Sequence, residues 1–108
     1  MKNQQIKKFN LYVGLFDKDT KLQKIPTIAA RDLIEHIILA AGIDGATISD
    51  AIGIYKHDDG SIVKEPSIRV EILFATNKQI LTICDRIKIA LNQESIALET
   101  QIINGQLI

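Results

Sequence analysis

The residues in this sequence with chemistry to offer are few: Tyr12 and Tyr55, the single Cys84, His36 and His57, and carboxylates gathered most densely at Asp17-Lys-Asp19 and Asp58-Asp59-Gly60. Acidic runs raise the question of calcium, whose helix-flanked loops need oxygen ligands at alternating positions around an invariant glycine, closed by a bidentate glutamate. Setting Gly60 at the glycine position puts Tyr55 first, His57 third and Pro66 twelfth, and in the other segment Leu22 would stand where the glycine must be. Both segments read as turn or solvated loop. His57 falls in a turn and His36 beside Asp32 and Glu35, neither next to an identifiable nucleophile or base partner. Cys84 lies on the apolar stripe of a helix, where a thiol behaves as a small hydrophobe. With one cysteine and two histidines there is no closed zinc set, and the glycines never take the spacing of a phosphate-binding loop. No catalytic residue, metal or cofactor is therefore assigned. Tyr12, Asp50, Tyr55, Arg69 and Glu71 remain, a mixture of phenols, carboxylates and a guanidinium suited to ligand recognition or proton transfer if the fold brings them together.

Hydropathy periods define the elements that would have to do so. Phe9, Leu11, Val13 and Leu15 alternate with more polar neighbours, the two-residue period of a strand over Phe9–Phe16. Pro26-Thr27 marks a helix start, with threonine placed to accept from a free helix amide, and Ala30, Leu33, Ile34, Ile37, Ile38 and Ala41 form the helical stripe up to Gly42. Ile48, Ile52 and Ile54 share one parity in a second strand over Thr47–Tyr55. Asp59-Gly60 supplies a hairpin turn, and the returning strand can begin at Ile62-Val63 and has its main run from Ser67 to Phe74, with Pro66 before that run placed at an edge or bulge because it cannot donate to a ladder. Thr76 and Gln79 have capping-box spacing, and Ile80, Ile83, Cys84, Ile87 and Leu91 line a second helix. A last strand covers Ser95–Ile103, with Asn104-Gly105 as a closing turn.

The order strand, helix, strand, strand, helix, strand is the α+β ferredoxin-like βαββαβ arrangement: a four-stranded antiparallel sheet with two helices on one face, formed by residues 1–108 as a single domain. The other face is left bare. Thirteen basic and thirteen acidic residues cancel, and 46% of the chain is hydrophobic, so neither disorder nor a polyelectrolyte is indicated. Six lysines against two aspartates in residues 1–24 make only a mild dipole, weaker than the basic stripe of a nucleic-acid binder. The third strand, Ser67-Ile-Arg-Val-Glu-Ile-Leu-Phe74, also lacks the basic and aromatic pattern of an RNA-recognition module. No apolar run has bilayer length, no signal-peptide core follows the N-terminal lysines, and the lone cysteine suits a reducing compartment. The sequence is read as cytoplasmic, with neither nucleic acid nor membrane as partner.

By parity the bare face carries Asn10, Tyr12, Gly14 and Phe16, then Ala51, Gly53 and Tyr55, then Arg69, Glu71 and Leu73, then Ala97, Glu99 and Gln101. Aromatic and small residues at this density imply a covered surface. A homodimer packing sheet on sheet would cover it, and a pocket for a small molecule or peptide floored by Tyr12, Tyr55, Arg69 and Glu71 would use it. Asp50 shares parity with Ile48, Ile52 and Ile54, so a regular strand would turn it toward the helices. A bulge or a rim position must relieve it, or it serves as a functional carboxylate.

Leu11-Tyr-Val-Gly-Leu15, Thr47-Ile-Ser-Asp-Ala-Ile-Gly-Ile-Tyr55, Asp59-Gly-Ser-Ile-Val-Lys-Glu-Pro-Ser67 and Gln93-Glu-Ser95 together resemble a family of small domains of unknown function. The resemblance implies no catalytic set. It marks Tyr12, Gly14, Asp50, Gly53, Glu65 and Ser67 as positions of interest, and it implies an export signal in many members, which the N-terminus here does not show. Two functions follow from the sequence: a non-enzymatic binding or regulatory module dimerising through the open face, and, alternatively, a small enzyme of the dimeric α+β barrel type. In the second, Tyr12, Tyr55, Asp50 and Arg69 would line an interfacial cavity.

Overall fold

The computed structural model of the protein describes residues 4–108. Four strands and two helices follow one another as β1 (Gln4–Gly14), α1 (Thr27–Ala40), β2 (Thr47–Lys56), β3 (Ile62–Leu73), α2 (Asn77–Ala90) and β4 (Ala97–Gly105). The sheet is antiparallel throughout, in the order β2-β3-β1-β4. This is the ferredoxin-like βαββαβ fold, with both helices on one face. No helix among the described residues is long and apolar enough to cross a membrane.

The core lies between the helices and the two central strands. Phe9, Leu11, Val13 and Leu15 of β1 and its extension meet Ile68, Val70 and Ile72 of β3, Ala30, Ile34 and Ile38 of α1, and Ile80, Ile83 and Ile87 of α2. Cys84, expected within the stripe, is half-buried at the margin of this cluster, and burial pushes its thiol pKa up. Each helix has 14 residues and spans about 21 Å, whereas the 12 residues of β3 reach about 40 Å. The sheet therefore overhangs its helical layer. Ile52 and Ile54, predicted to face the helices, do lie on that side but stay 71% and 66% exposed, because β2 is an edge strand beyond the reach of α1.

Helix ends follow local chemistry in one case and not in the other. Thr76 and Gln79 form the predicted capping box, each satisfying the other's backbone amide. At α1 the side chain of Thr27 receives no helix amide; it accepts from the Gln23 side chain at 3.0 Å, and Pro26 occupies the cap without a side-chain bond. Gly42 closes the helix at φ +84°, in the left-handed region.

Three strand expectations are corrected. Pro66 sits in an interior strand, opposite Ile52. Its carbonyl accepts from Leu15 N–H on the β1 side, just beyond the last paired residues Gly14 and Ser67, so the missing donor falls where the ladder has ended. Phe16 is outside β1 and forms an isolated bridge with Gln23. Asn104 and Gly105 continue β4, opposite Gln5 and Gln4, and the Ile6 side chain lies over Gly105, where a Cβ would come within 2.6 Å.

Candidate functional site

At the end of the open face nearest the β2–β3 turn lies a cleft of about 580 Å³. Its floor is Tyr12 and Gly14 of β1 with Val63 and Glu65 of β3. One wall is the hairpin, through Tyr55 and His57, and the other is Gln93, Glu94, Ser95 and Ala97 leading into β4. Lys18 and Lys21 stand at the mouth.

Glu65 is the most constrained group in the cleft. Its half-buried carboxylate lies directly over Gly14, where an added Cβ would come within 2.6 Å of the carboxyl carbon and of both oxygens. Phe16 N–H donates to Oε2 at 2.8 Å, a charge-assisted bond that fixes the side chain. On the other side Ser67 Oγ donates to the Glu65 carbonyl at 3.0 Å, and Gly53 leaves room for that hydroxyl, since a Cβ there would be 3.2 Å from it. Two glycines on two strands thus flank one residue, Gly14 beneath the Glu65 carboxylate and Gly53 beside its backbone carbonyl and the Ser67 hydroxyl. Tyr12 and Tyr55 both line the cleft and are each exposed to a little over 40%. The His57 ring meets that of Tyr55 edge-on, with centroids 5.4 Å apart.

The loop that carries the two lysines is built around Asp17. Its Oδ2 accepts from Asp19 N–H, Thr20 N–H and Thr20 Oγ1, and its Oδ1 accepts from Asn92 Nδ2 at 2.8 Å. The Asn92 side chain and the turn amides hold the Asp17 pKa down at about 2. Gln93 Nε2 donates to Phe16 carbonyl at 2.8 Å, so the β1–α1 and α2–β4 loops are tied into one rigid wall. Asp17 is buried and its oxygens are committed to this frame, so it is a positioning residue and offers nothing to a ligand.

The five residues singled out from sequence part company. Tyr12 and Tyr55 line the cleft. Arg69 and Glu71 lie further along the open face, paired with each other at 2.7 Å, and Glu71 borders a separate concavity with Leu73, Phe74 and Leu107. Asp50 is on the helix side at the rim of β2, half exposed, where Arg31 of α1 pairs with it at 3.1 Å; the misfit is relieved by edge position and an ion pair, without a bulge. Among the positions marked by the family resemblance, Tyr12, Gly14, Gly53, Glu65 and Ser67 come together and Asp50 does not. Lys18 and Lys21 were read as plain solvated surface; only the folding of the loop around Asp17 brings them to the cleft. Among the described residues no group of three or more His, Cys, Asp or Glu side chains could hold a metal ion.

No protein-family model matches the sequence, and no curated protein matches it. Solved structures do. A phage SAM lyase in complex with S-methyl-5'-thioadenosine superposes with a TM-score of 0.64 at 19% identity, over 94% of this chain and 90% of that one. The GlnK–ATP complex of B. subtilis gives 0.63 at 13% identity, over 92% and 82%. CPII of Thiomonas intermedia K12, a nitrogen regulatory PII-like protein bound to ADP, AMP and bicarbonate, gives 0.58 at 12% identity, over 96% and 91%. At these identities the likeness is one of fold.

Proposed function

We propose that the cleft binds an adenosyl compound carrying a positive charge, with S-adenosylmethionine as the type, and that the chain cleaves it as a lyase. The observation that carries this reading is the carboxylate of Glu65, fixed over Gly14 between Tyr12 and Tyr55, with Glu94 on the facing wall. Each of the three similar structures holds at least one ligand with an adenosine half: S-methyl-5'-thioadenosine, ATP, or ADP and AMP. What separates those ligands is the charge of the other half. A polyphosphate calls for a cradle of backbone amides and basic side chains, whereas a sulfonium is attracted by carboxylates and aromatic faces. The volume of about 580 Å³ is within the usual range for a small-molecule site.

The chemistry asks little of the protein. Breaking the bond between sulfur and the γ-carbon of the amino-acid half sends the bonding pair to sulfur, and the sulfonium becomes the neutral thioether S-methyl-5'-thioadenosine. The four-carbon fragment either closes on its own carboxylate as a lactone or yields a proton to a carboxylate such as Glu65 or Glu94 and leaves as an alkene. Neither route needs water, metal or a further cofactor. The residues' part is to hold the sulfonium beside fixed negative charge and to orient the fragment.

The test is incubation of the purified chain with S-adenosylmethionine, followed by mass spectrometry for S-methyl-5'-thioadenosine, with proton NMR to distinguish lactone from alkene. Calorimetric titrations with S-methyl-5'-thioadenosine, ATP and ADP run alongside. Release of the thioether by the native chain and its loss in Glu65→Gln supports the reading. Tight ATP or ADP binding without turnover moves the function to the second reading, a non-enzymatic nucleotide-binding regulatory module, which Lys18 and Lys21 at the cleft mouth favour. Absence of binding by all of these compounds overturns both. Under either reading we propose a cytoplasmic homodimer associating through the open sheet face, a subunit count that native mass spectrometry reads directly.

A further inference from the structure

The centre of the open face holds a polar row that the cleft does not use. Glu71, Asn10 and Glu99 lie in register across β3, β1 and β4, and the adjacent row is Arg69, Tyr12 and Ala97. Asn10 is only 2% exposed, although it points to the side that has no helices. Its Nδ2 donates to Glu99 Oε1 at 2.9 Å, and Tyr12 Oη donates to the same oxygen at 3.4 Å. Its Oδ1 is buried with no hydrogen-bond partner among the described residues. Glu99 is held by neutral groups and forms no ion pair among the described residues. Glu99, exposed on the open face and without a counter-ion among the described residues, offers an anionic acceptor to a cationic donor arriving from above the sheet.

We infer that this donor is Arg69 of a second copy of the chain, so that the open-face association is held in register by Arg69 of each copy bridging to Glu99 of the other. This rests on the self-association proposed above and specifies its contacts. A two-fold axis running along β1 lays β3 of one copy over β4 of the other, which sets Arg69 opposite Ala97. Alanine leaves room there for the guanidinium. Glu99 is two residues further along the strand, about 7 Å away, a distance the arginine side chain covers. The same rotation brings Glu71 over Glu99 of the second copy. The guanidinium, already 2.7 Å from Glu71 and with further N–H donors to give, then lies between two carboxylates that would otherwise repel. With the half-buried Lys8, one row along β1, each copy contributes two positive and two negative charges to the patch. The contact is self-complementary, as a two-fold interface must be.

The experiment is association of the full chain by native mass spectrometry and light scattering. The native chain is expected to be a dimer. Arg69→Glu and Glu99→Arg, each alone, place like charges at both contacts and are expected to weaken dimerisation at least tenfold. Mixing the two variants restores opposite charges at both contacts and is expected to give a heterodimer close to native affinity. Should circular dichroism show either variant unfolded, Arg69→Gln and Glu99→Gln replace them, and their combination is expected to dimerise no more weakly than the worse single variant. A native chain that is monomeric overturns both the self-association and this contact. A native dimer whose variants associate normally, or whose variants fail to recover on mixing, overturns the contact alone.

Discussion

Gly14 has no side chain because the carboxylate of Glu65 occupies the space one would take. In Gly14→Ala the flexible Glu65 chain yields first, so the cost falls on the bond to Phe16 N–H, about 1–2 kcal/mol of stability. Ligand affinity drops by about tenfold for each 1.4 kcal/mol of lost contact with the displaced carboxylate. Paired thermal melts and titrations of this variant check that binding suffers more than folding. Asp17 makes a prediction of a different kind. Its folded pKa of about 2 is below the ordinary 3.8, so the charged form is stabilised on folding. That contribution is present in full above the unfolded pKa and is lost as pH falls from about 4 toward 2. Asp17→Asn is expected to destabilise the chain at neutral pH and to flatten this part of the acid limb, as read from urea midpoints at several pH values. Both residues act through a neighbour: one leaves room for the Glu65 carboxylate, the other holds a loop.

Among the elements, the capping box of α2 is the simplest to test. Thr76→Ala removes the side-chain acceptor for Gln79 N–H and should cost about 1 kcal/mol, visible as a shift in denaturant midpoint without a change in slope. That box was legible in the sequence because both partners lie within one turn. The order and type of all six elements were legible too, through period-two and period-3.6 hydropathy. What was not legible depends on partners distant in sequence. Asn104-Gly105 has turn chemistry, yet pairing with Gln5 and Gln4 makes it strand. Pro66 was assigned to an edge because no sequence pattern reveals where β1 stops pairing. Thr27 looked like a cap, and its hydroxyl went to Gln23. In the cleft, Tyr12 and Tyr55 could be placed by parity alone. Parity placed Gly14 and Gly53 on the open face as well, Glu65 and Ser67 stood out only through the family resemblance, and the tie from Asp17 to Asn92 spans 75 positions without any local mark.

For the molecule as a whole, the mismatch between short helices and long strands divides the isoleucines into two populations. Ile68→Ala, in the sealed core, should cost about 2–5 kcal/mol. Ile54→Thr, on the overhang, should change the stability of the isolated chain by less than about 0.5 kcal/mol. Equilibrium unfolding of the two variants at low protein concentration checks the contrast. A larger loss for Ile54→Thr would mean that the overhang is covered even in the isolated chain.

The cleft joins residues 12–21 to residues 93–97, with bonds that close loops of some 75 positions. Contacts of such separation form late, once a large loss of chain freedom has been met. On a ribosome β1 waits for α2 and β4 to emerge before its half of the cleft has a second wall, so nascent chains that stop short of β4 have an incomplete cleft. Under the proposed function a ligand present during synthesis is expected to engage only chains that have reached their last strand and, by holding the two walls together, to slow the unfolding of those chains alone.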